Sequence, residues 1–166
     1  MNAIAVAILA YVTLERLAEL LLARTNTRKL LARGATEHAA RHYPLIVAVH
    51  TLWLASLWFL ASDRPPDMFW LAMYVFLQAA RFWVLGTLGA RWTTRIITLP
   101  GEDLVKEGPY RFLNHPNYWV VIGEIAVLPL VFDLPWVALA FTILNATVLV
   151  IRVREENRAL ARARRH

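Results

Sequence analysis

Five long apolar segments divide this chain, and they restrict its fold more than any other feature of the sequence. The segments cover residues 2–22, 43–61, 68–89, 118–132 and 134–151. A helix needs about 20 mostly apolar residues to cross the hydrocarbon core of a bilayer. The two shorter segments are joined by Asp133-Leu134-Pro135, which predicts the tight turn of a helical hairpin. The sequence therefore predicts an all-α, polytopic integral membrane protein with about five transmembrane helices and a C-terminal helical hairpin.

The composition of the chain agrees with a bilayer environment and excludes several other classes of protein. The 166 residues are 58% hydrophobic and their mean hydropathy is +0.45, which is too apolar for an ordinary soluble domain. Cys is absent, so disulfides and thiolate sites are excluded. The net charge of +6 comes without a basic stripe interleaved with aromatics, so no nucleic-acid partner is predicted. We expect one membrane-embedded domain over 1–166, with three helices in 1–89 and a connector, the hairpin and a basic tail in 90–166.

The connectors differ in charge, which predicts the orientation of the chain in the membrane. Connector 24–42 carries five basic residues and one acidic residue, whereas the Pro-containing break at 62–67 carries Asp63, Arg64 and Asp67. Segment 90–117 and the tail after residue 151 are also net basic. Basic connectors stay on the cytoplasmic side. We therefore expect a multi-pass protein of the cell membrane with its N-terminus outside and its C-terminus and catalytic connector in the cytoplasm.

The ionisable side chains inside the apolar segments, together with Gln78 and Asn145, all fall in the halves predicted to be cytoplasmic. They are Glu15, Arg16, Glu19, His50, Gln78, Arg81, Glu124 and Asn145. A charge at mid-membrane costs ~2.5 to 3.5 kcal/mol on insertion scales, so such residues usually have a function or a partner. The pattern favours a polar cavity open to the cytoplasm, with helix pairing as the alternative.

Three of these residues are candidate site residues. We predict that Glu124 acts in catalysis, because an intramembrane carboxylate is a functional candidate by default. The structural alternative is a buried pair of Glu124 with Arg81 or Arg152. Glu19 and Arg81 are predicted substrate contacts.

The connector at 108–119 is rich in polar and ring-bearing side chains. Pro109 and Pro116 restrict the residues before them and so fix two local bends. The groups between and after the bends are Tyr110, Arg111, His115, Asn117, Tyr118 and Trp119. This content is typical either of a site or of a turn that begins a membrane helix with interfacial aromatics.

These residues resemble the isoprenylcysteine carboxyl methyltransferase family, whose members are membrane enzymes that use S-adenosylmethionine. The matching elements are Leu104-Val105, Gly108-Pro109-Tyr110-Arg111, His115-Pro116-Asn117-Tyr118, and Arg152 followed four residues later by Glu156. The N-terminal half is similar to bacterial members in Arg16-Leu17-Ala18-Glu19-Leu20, Arg24, Asn26, Gly34, Glu37, His42 and Tyr43. Together with Arg91-Trp92-Thr93-Thr94-Arg95, it resembles a branch associated with type III polyketide synthases, which methylates alkylpyrone-type lipids.

The resemblance implies the positions of the cofactor and substrate contacts. The implied S-adenosylmethionine contacts are Glu102, Asp103, Leu104, Val105, Tyr110, His115, Pro116, Asn117, Tyr118 and Glu156. Arg152 falls where the family has a substrate contact, and we assign it a catalytic role as well. Many members have paired acids at the end of the motif, whereas this chain has Glu156 followed by Asn157. The second acid is therefore either replaced by the amide of Asn157 or shifted one position earlier, to Glu155.

The chemistry of a sulfonium methyl donor agrees with these residue types. Such a cation is held by aromatic faces and carboxylates, which Tyr110, Tyr118, Trp119, Glu124 and Glu156 can supply. No Gly-x-Gly occurs in the chain, so the nucleotide-binding turn of soluble methyltransferases is absent. His38, His42 and His50 lack a carboxylate at ligand spacing, and no metal site is predicted.

The sequence predicts an S-adenosylmethionine-dependent O-methyltransferase that takes a lipophilic acceptor from the bilayer. The acceptor oxygen would be a carboxylate, enol or phenol that is already acidic, so Arg152 could stabilise its anion without a strong general base. One alternative is an NADPH-dependent membrane reductase of the sterol-reductase type. Another is a non-enzymatic membrane subunit or transporter. The predicted partners are membrane lipid and the lipophilic acceptor.

Overall fold

The computed structural model describes residues 1–38, 43–102 and 105–163, with side chains up to Ala159, and this part of the chain is mostly helical. Its α-helices are α1 (Ala3–Ala32), α2 (Tyr43–Ala61), α3 (Met68–Leu88), α4 (Pro116–Val131) and α5 (Pro135–Ala163). Two short strands, β1 (Thr36–His38) and β2 (Ile96–Thr98), and short 3₁₀ turns at Gly89–Arg91 and Gly108–Arg111 lie between the helices.

The helices begin where the sequence supplies capping residues. The Asn2 side chain accepts hydrogen bonds from the backbone N–H groups of Ile4 and Ala5 at 3.0 and 3.2 Å. Asp67 caps α3 in the same way. Helices α4 and α5 each begin at a Pro, whose missing N–H is not needed in the first turn. The breaks predicted at 62–67 and 133–135 are therefore confirmed.

Two predicted helix ends are wrong, because α1 and α5 continue well beyond the apolar segments at 2–22 and 134–151. Residues 23–32 contain neither Gly nor Pro, and Ala23, Asn26 and Leu30 are buried along this part of α1. Packing therefore sustains the helix after the apolar run stops. As a consequence, Glu15, Arg16 and Glu19 lie in the middle of α1 and not in its last turns.

The prediction of an all-α fold misses a short antiparallel ribbon. Strand β1 pairs with β2 in a register that places Glu37 opposite Ile97. His38 Nε2 lies 2.7 Å from Thr98 Oγ1, and Arg95 Nη1 donates to Glu37 Oε1 at 2.7 Å. Strands of three residues are too short to show the alternation that predicts a half-buried strand.

A continuous apolar core joins all five helices. It contains Leu9 and Val12 of α1, Trp53 and Leu57 of α2, Tyr74 of α3, and Ile125 and Leu128 of α4, with Val137 and Phe141 of α5 packed against it. Helix α4 packs between α3 and α5. Within the described residues, three helical stretches are long and apolar enough to cross a bilayer, namely Tyr43–Ala61, Met68–Arg91 and Pro135–Ala159, whereas α4 is apolar but shorter. These stretches are typical of a membrane protein.

Candidate functional site

The beginning of α4 packs against the C-terminal half of α5, and four side chains form one contact group there. We call this group the α4–α5 cluster, and its members are His115, Tyr118, Arg152 and Glu156. Arg152 and Glu156 are four residues apart, so they project from the same face of α5. The Tyr118 hydroxyl donates to the Glu156 carboxylate and accepts a hydrogen bond from Arg152 Nε at 2.8 Å. The guanidinium carbon of Arg152 also lies 5.6 Å from the centroid of the Tyr118 ring. The tyrosine thus bridges a cation and an anion of the same helix.

His115 belongs to this cluster through its ring. The imidazole stacks on the Tyr118 ring, with centroids 5.2 Å apart and planes inclined by 21°. Its Nδ1 lies 3.8 Å from Glu156 Oε1. Among the residues that the structure describes, its side chain makes no capping hydrogen bond to α4. His115 is nevertheless the N-cap residue of α4, because its backbone oxygen accepts a hydrogen bond from the Tyr118 N–H at 3.1 Å.

The connector before α4 supplies a second ring and an unpaired acceptor atom. Tyr110 is half-buried against Ala23, Val84, Trp92 and Val120. Burial raises the pKa of Tyr110 to about 12, and the charge of Glu156 adds to the shift, so this hydroxyl stays protonated at neutral pH. Asn117 Oδ1 is buried, and no described residue donates a hydrogen bond to it. Such an atom is available to an N–H or O–H group of a ligand.

Gly108 allows the connector to approach α3 closely. Its φ angle is +52°, a left-handed conformation that side chains disfavour. A Cβ atom at this position would overlap the Thr87 side chain and lie 3.2 Å from Trp83 Nε1. The connector that carries Tyr110 therefore depends on glycine for its position.

Other predicted cofactor contacts lie elsewhere or outside the described residues. Glu102 forms ion pairs with Arg33 at 2.7 Å and with Arg91 at 3.1 Å. Pro116 is buried in the first turn of α4 and Val105 is half-buried. The Trp119 side chain is 63% exposed on the outer surface of α4, so it does not supply the aromatic face predicted for it. His42, Asp103 and Leu104 lie outside the described residues.

The predicted residues Glu19, Arg81 and Glu124 form a second group with Arg16, Glu15 and Gln78, which we call the buried charge network. The residues at its centre, Arg81 and Glu124, are only 1% and 2% exposed. Arg81 Nε donates to Glu124 Oε1 at 2.6 Å, its Nη2 donates to Glu124 Oε2, and its Nη1 donates to Glu19 Oε1 at 3.0 Å. The alternative of a buried pair between Glu124 and Arg81 is confirmed.

Further donors complete the environment of the Glu124 carboxylate. Arg16 Nη2 donates to it at 3.2 Å and Gln78 Nε2 donates at 3.1 Å. Arg16 also bonds Glu19 at 3.0 Å and Glu15 at 3.3 Å. The network therefore ties α1, α3 and α4 together. The sequence placed Arg16 and Gln78 in the same polar group but predicted neither as a partner of Glu124, although the helical spacing of 16 and 19 and of 78 and 81 indicates shared faces.

The two groups face different sides of the same helix. Glu124 follows Tyr118 by six residues, which corresponds to a rise of about 9 Å and a rotation of about 240°. Tyr118 therefore faces α5, whereas Glu124 faces α1 and α3. The structure brings together Arg152, Tyr118, His115 and Glu156, and it places Glu19, Arg81 and Glu124 in a separate network. A direct role of these three in substrate binding or catalysis stays a prediction.

Comparison with known proteins gives one family and two relatives. The profile of the isoprenylcysteine carboxyl methyltransferase (ICMT) family matches residues 70–162, a range that contains all four residues of the α4–α5 cluster. The uncharacterized protein YpbQ of Bacillus subtilis strain 168 is 40% identical over 158 residues, covering 92% of this chain and 94% of the relative. An uncharacterized protein of Haemophilus influenzae is 24% identical over 142 residues, covering 82% and 83%. No solved structure matches the chain significantly.

Proposed function

Because the chain belongs to the isoprenylcysteine carboxyl methyltransferase family, we propose that it transfers a methyl group from S-adenosylmethionine to an oxygen atom of a lipophilic acceptor. The observation that carries this proposal is the linkage of Arg152, Tyr118 and Glu156 beside the His115 ring. This group of side chains offers a cation to the acceptor oxygen. It also offers a carboxylate and two rings to the methyl donor.

The residues of the α4–α5 cluster fit S-adenosylmethionine. When bound, this cofactor supplies an electrophilic methyl group on a sulfonium ion. The Glu156 carboxylate would accept hydrogen bonds from the donor groups of the cofactor, and the stacked rings of His115 and Tyr118 would form an aromatic wall beside it. The unpaired Asn117 Oδ1 adds another buried acceptor. Tyr110 and Pro116 would close the connector side of the pocket.

Arg152 is suited to hold the acceptor oxygen. Among the described residues, Arg152 donates a hydrogen bond from Nε to the Tyr118 hydroxyl. This leaves both terminal amino groups of the guanidinium for a ligand. The residue is only 9% exposed, so a guanidinium there acts strongly on a nearby anion. An acceptor that arrives as a carboxylate, enolate or phenolate needs this stabilisation and alignment with the donor, not a strong base.

We further propose five membrane spans, with the N-terminus outside and the α4–α5 cluster on the cytoplasmic side. The charges in the middle of α1 are paired within the buried charge network, which lowers the cost of placing α1 in the bilayer. The backbone N–H of Asn2 donates to Ser62 O at 2.8 Å, so the N-terminus and the break at 62–67 lie at the same end of the bundle.

Single cysteines should report this topology, because the natural chain has none. Asp63→Cys in intact cells should react with a membrane-impermeant maleimide, whereas Arg28→Cys should react only after the membrane is opened. Both residues are exposed, so access and not burial decides the outcome. If Arg28→Cys were labelled in intact cells and Asp63→Cys were not, the orientation would be the reverse of the one proposed.

Binding of S-adenosylhomocysteine tests the cofactor site without knowledge of the acceptor. Titration calorimetry of the purified protein should show binding, and Glu156→Gln should weaken it about 10- to 100-fold, as expected for losing hydrogen bonds to a charged group. His115→Ala should also weaken it, because a stacked ring is removed.

Glu155→Gln is the matched control for the cofactor titration. Glu155 pairs with Arg158 and lies one residue before the cluster, so its replacement should leave the affinity unchanged. Unchanged affinity in both the Glu156 and the His115 variants would refute the site. Binding of NADPH in place of S-adenosylhomocysteine would favour a reductase.

A further inference from the structure

A lateral groove between α1 and α3 is separate from the α4–α5 cluster. Its volume is about 580 Å³, which lies in the usual range for small-molecule sites. Its walls are mostly apolar and include Ile4 and Ile8 of α1 and Leu71, Val75 and Phe82 of α3. Ile4, Val75 and Phe82 are each more than half exposed, so the groove opens toward the side of the bundle that faces lipid.

Two buried polar side chains of α3 line this apolar groove. Tyr74 is 3% exposed and Gln78 is 6% exposed, and their spacing of four residues places them on one face. The Tyr74 hydroxyl and Gln78 Oε1 have no hydrogen-bond partner among the described residues. Unpaired polar atoms are costly in a bilayer. Their presence in the groove indicates a ligand that satisfies them.

The hydrogen-bonding capacity of these atoms specifies the polar group of the ligand. Gln78 Nε2 already donates to Glu124, so Gln78 Oε1 remains and can only accept a hydrogen bond. The Tyr74 hydroxyl can donate or accept. A hydroxyl group on the ligand can donate to Gln78 and accept from Tyr74 at once. Ethers, esters and hydrocarbons lack the donor.

Charge and depth exclude the headgroups of ordinary phospholipids. Behind Gln78, the guanidinium groups of Arg16 and Arg81 are already paired with the carboxylates of Glu19 and Glu124, so these cations are not available to an anionic headgroup. Gln78 also lies at the midpoint of α3, far from the interface where charged headgroups remain.

We propose that the groove between α1 and α3 binds a neutral lipid alcohol, with its hydroxyl between Tyr74 and Gln78 and its chain along the apolar walls. This site goes beyond the proposed methyl transfer. It lies on the side of α4 that carries the buried charge network, whereas the α4–α5 cluster faces α5.

Tritiated hexadecan-1-ol is a suitable probe for the purified protein in detergent, measured by scintillation proximity. We expect saturable binding that unlabelled hexadecan-1-ol displaces and that hexadecyl methyl ether displaces much less well. Tyr74→Phe should weaken binding about tenfold, the effect of losing one hydrogen bond. Tyr43→Phe is the matched control, because Tyr43 lies outside this groove and its hydroxyl is 3.1 Å from Thr94 Oγ1, and it should bind normally.

Two further measurements separate this site from folding and from methyl transfer. Without alcohol, Tyr74→Phe should melt at or above the natural protein and bind S-adenosylhomocysteine normally, because the substitution removes an unpaired buried hydroxyl. Absence of saturable binding, or binding that Tyr74→Phe does not change, would overturn the proposal. Binding that is lost in Arg152→Met and kept in Tyr74→Phe would place the alcohol in the acceptor site and overturn it as well.

Discussion

Replacement of Arg81 by Met should destabilise the folded protein by about 3 to 5 kcal/mol, the cost of leaving buried carboxylates without their partner. Arg81 bonds both Glu19 and Glu124, and its side chain is almost completely enclosed. We expect a large fall in melting temperature in detergent and poor recovery of folded protein from membranes. Size-exclusion chromatography and thermal unfolding measure both effects.

A second substitution and an exposed ion pair provide the controls for Arg81. Adding Glu124→Gln to Arg81→Met removes one of the two carboxylate charges that then share Arg16, and it should recover part of the stability, while Arg16 still pairs with Glu19. Arg95→Met breaks the exposed pair with Glu37 and should cost at most ~1 kcal/mol. If Arg81→Met melted like the natural protein, the network would not hold the helices together.

Replacement of Arg152 by Met should lower the rate of methyl transfer about 10²- to 10³-fold, as expected for loss of a preorganised group that stabilises a developing or bound oxyanion. Transfer of tritium from methyl-labelled S-adenosylmethionine into the lipid fraction of membranes containing the protein measures this rate. The same assay shows which lipid fraction contains the acceptor. Affinity for S-adenosylhomocysteine should fall much less than the rate.

Two arginine variants make the Arg152 experiment specific. Arg154→Met changes an exposed arginine two residues away and should leave the rate near its natural value. Arg152→Lys keeps the charge but loses the Nε bond to Tyr118, so an intermediate rate is expected. Equal loss in the Arg152 and Arg154 variants would indicate a general effect of the basic tail and contradict the assigned role.

The sequence predicted the local features of the fold well because local chemistry decides them. Apolar length marked α2 and α3, and the prolines at 65–66 and 135 marked the breaks between helices. The continuation of α1 to Ala32 was missed, because it depends on Asn26 bonding the backbone oxygens of Gly89 and Trp92, more than 60 residues away in sequence. The ribbon was missed for the same reason, since neither strand is stable without its distant partner.

The candidate site was likewise predictable where local sequence decides it and not where distant contacts do. The four residues of the α4–α5 cluster followed from the resemblance to the family's motif, and the spacing of Arg152 and Glu156 agrees with one helix face. The geometry that joins them depends on Tyr118. The sequence placed Tyr118 in the motif but did not predict that its hydroxyl bridges Arg152 and Glu156. For Glu124 the sequence left catalysis and pairing open. The pairing is formed by Arg81, 43 residues away along the chain, and by Arg16, 108 residues away, and contacts over such distances are not visible in the spacing of the sequence.

The shortness of α4 has a consequence for the membrane around the protein. Its 16 residues span about 24 Å, less than the roughly 30 Å of a typical hydrocarbon core. Such hydrophobic mismatch is relieved by local thinning of the bilayer. In the proposed orientation, thinning on the cytoplasmic side would bring the interface toward Tyr118, at the beginning of α4. The proposed water-soluble donor and bilayer-bound acceptor would then meet at the same depth, and the acceptor would not have to leave the lipid phase to react.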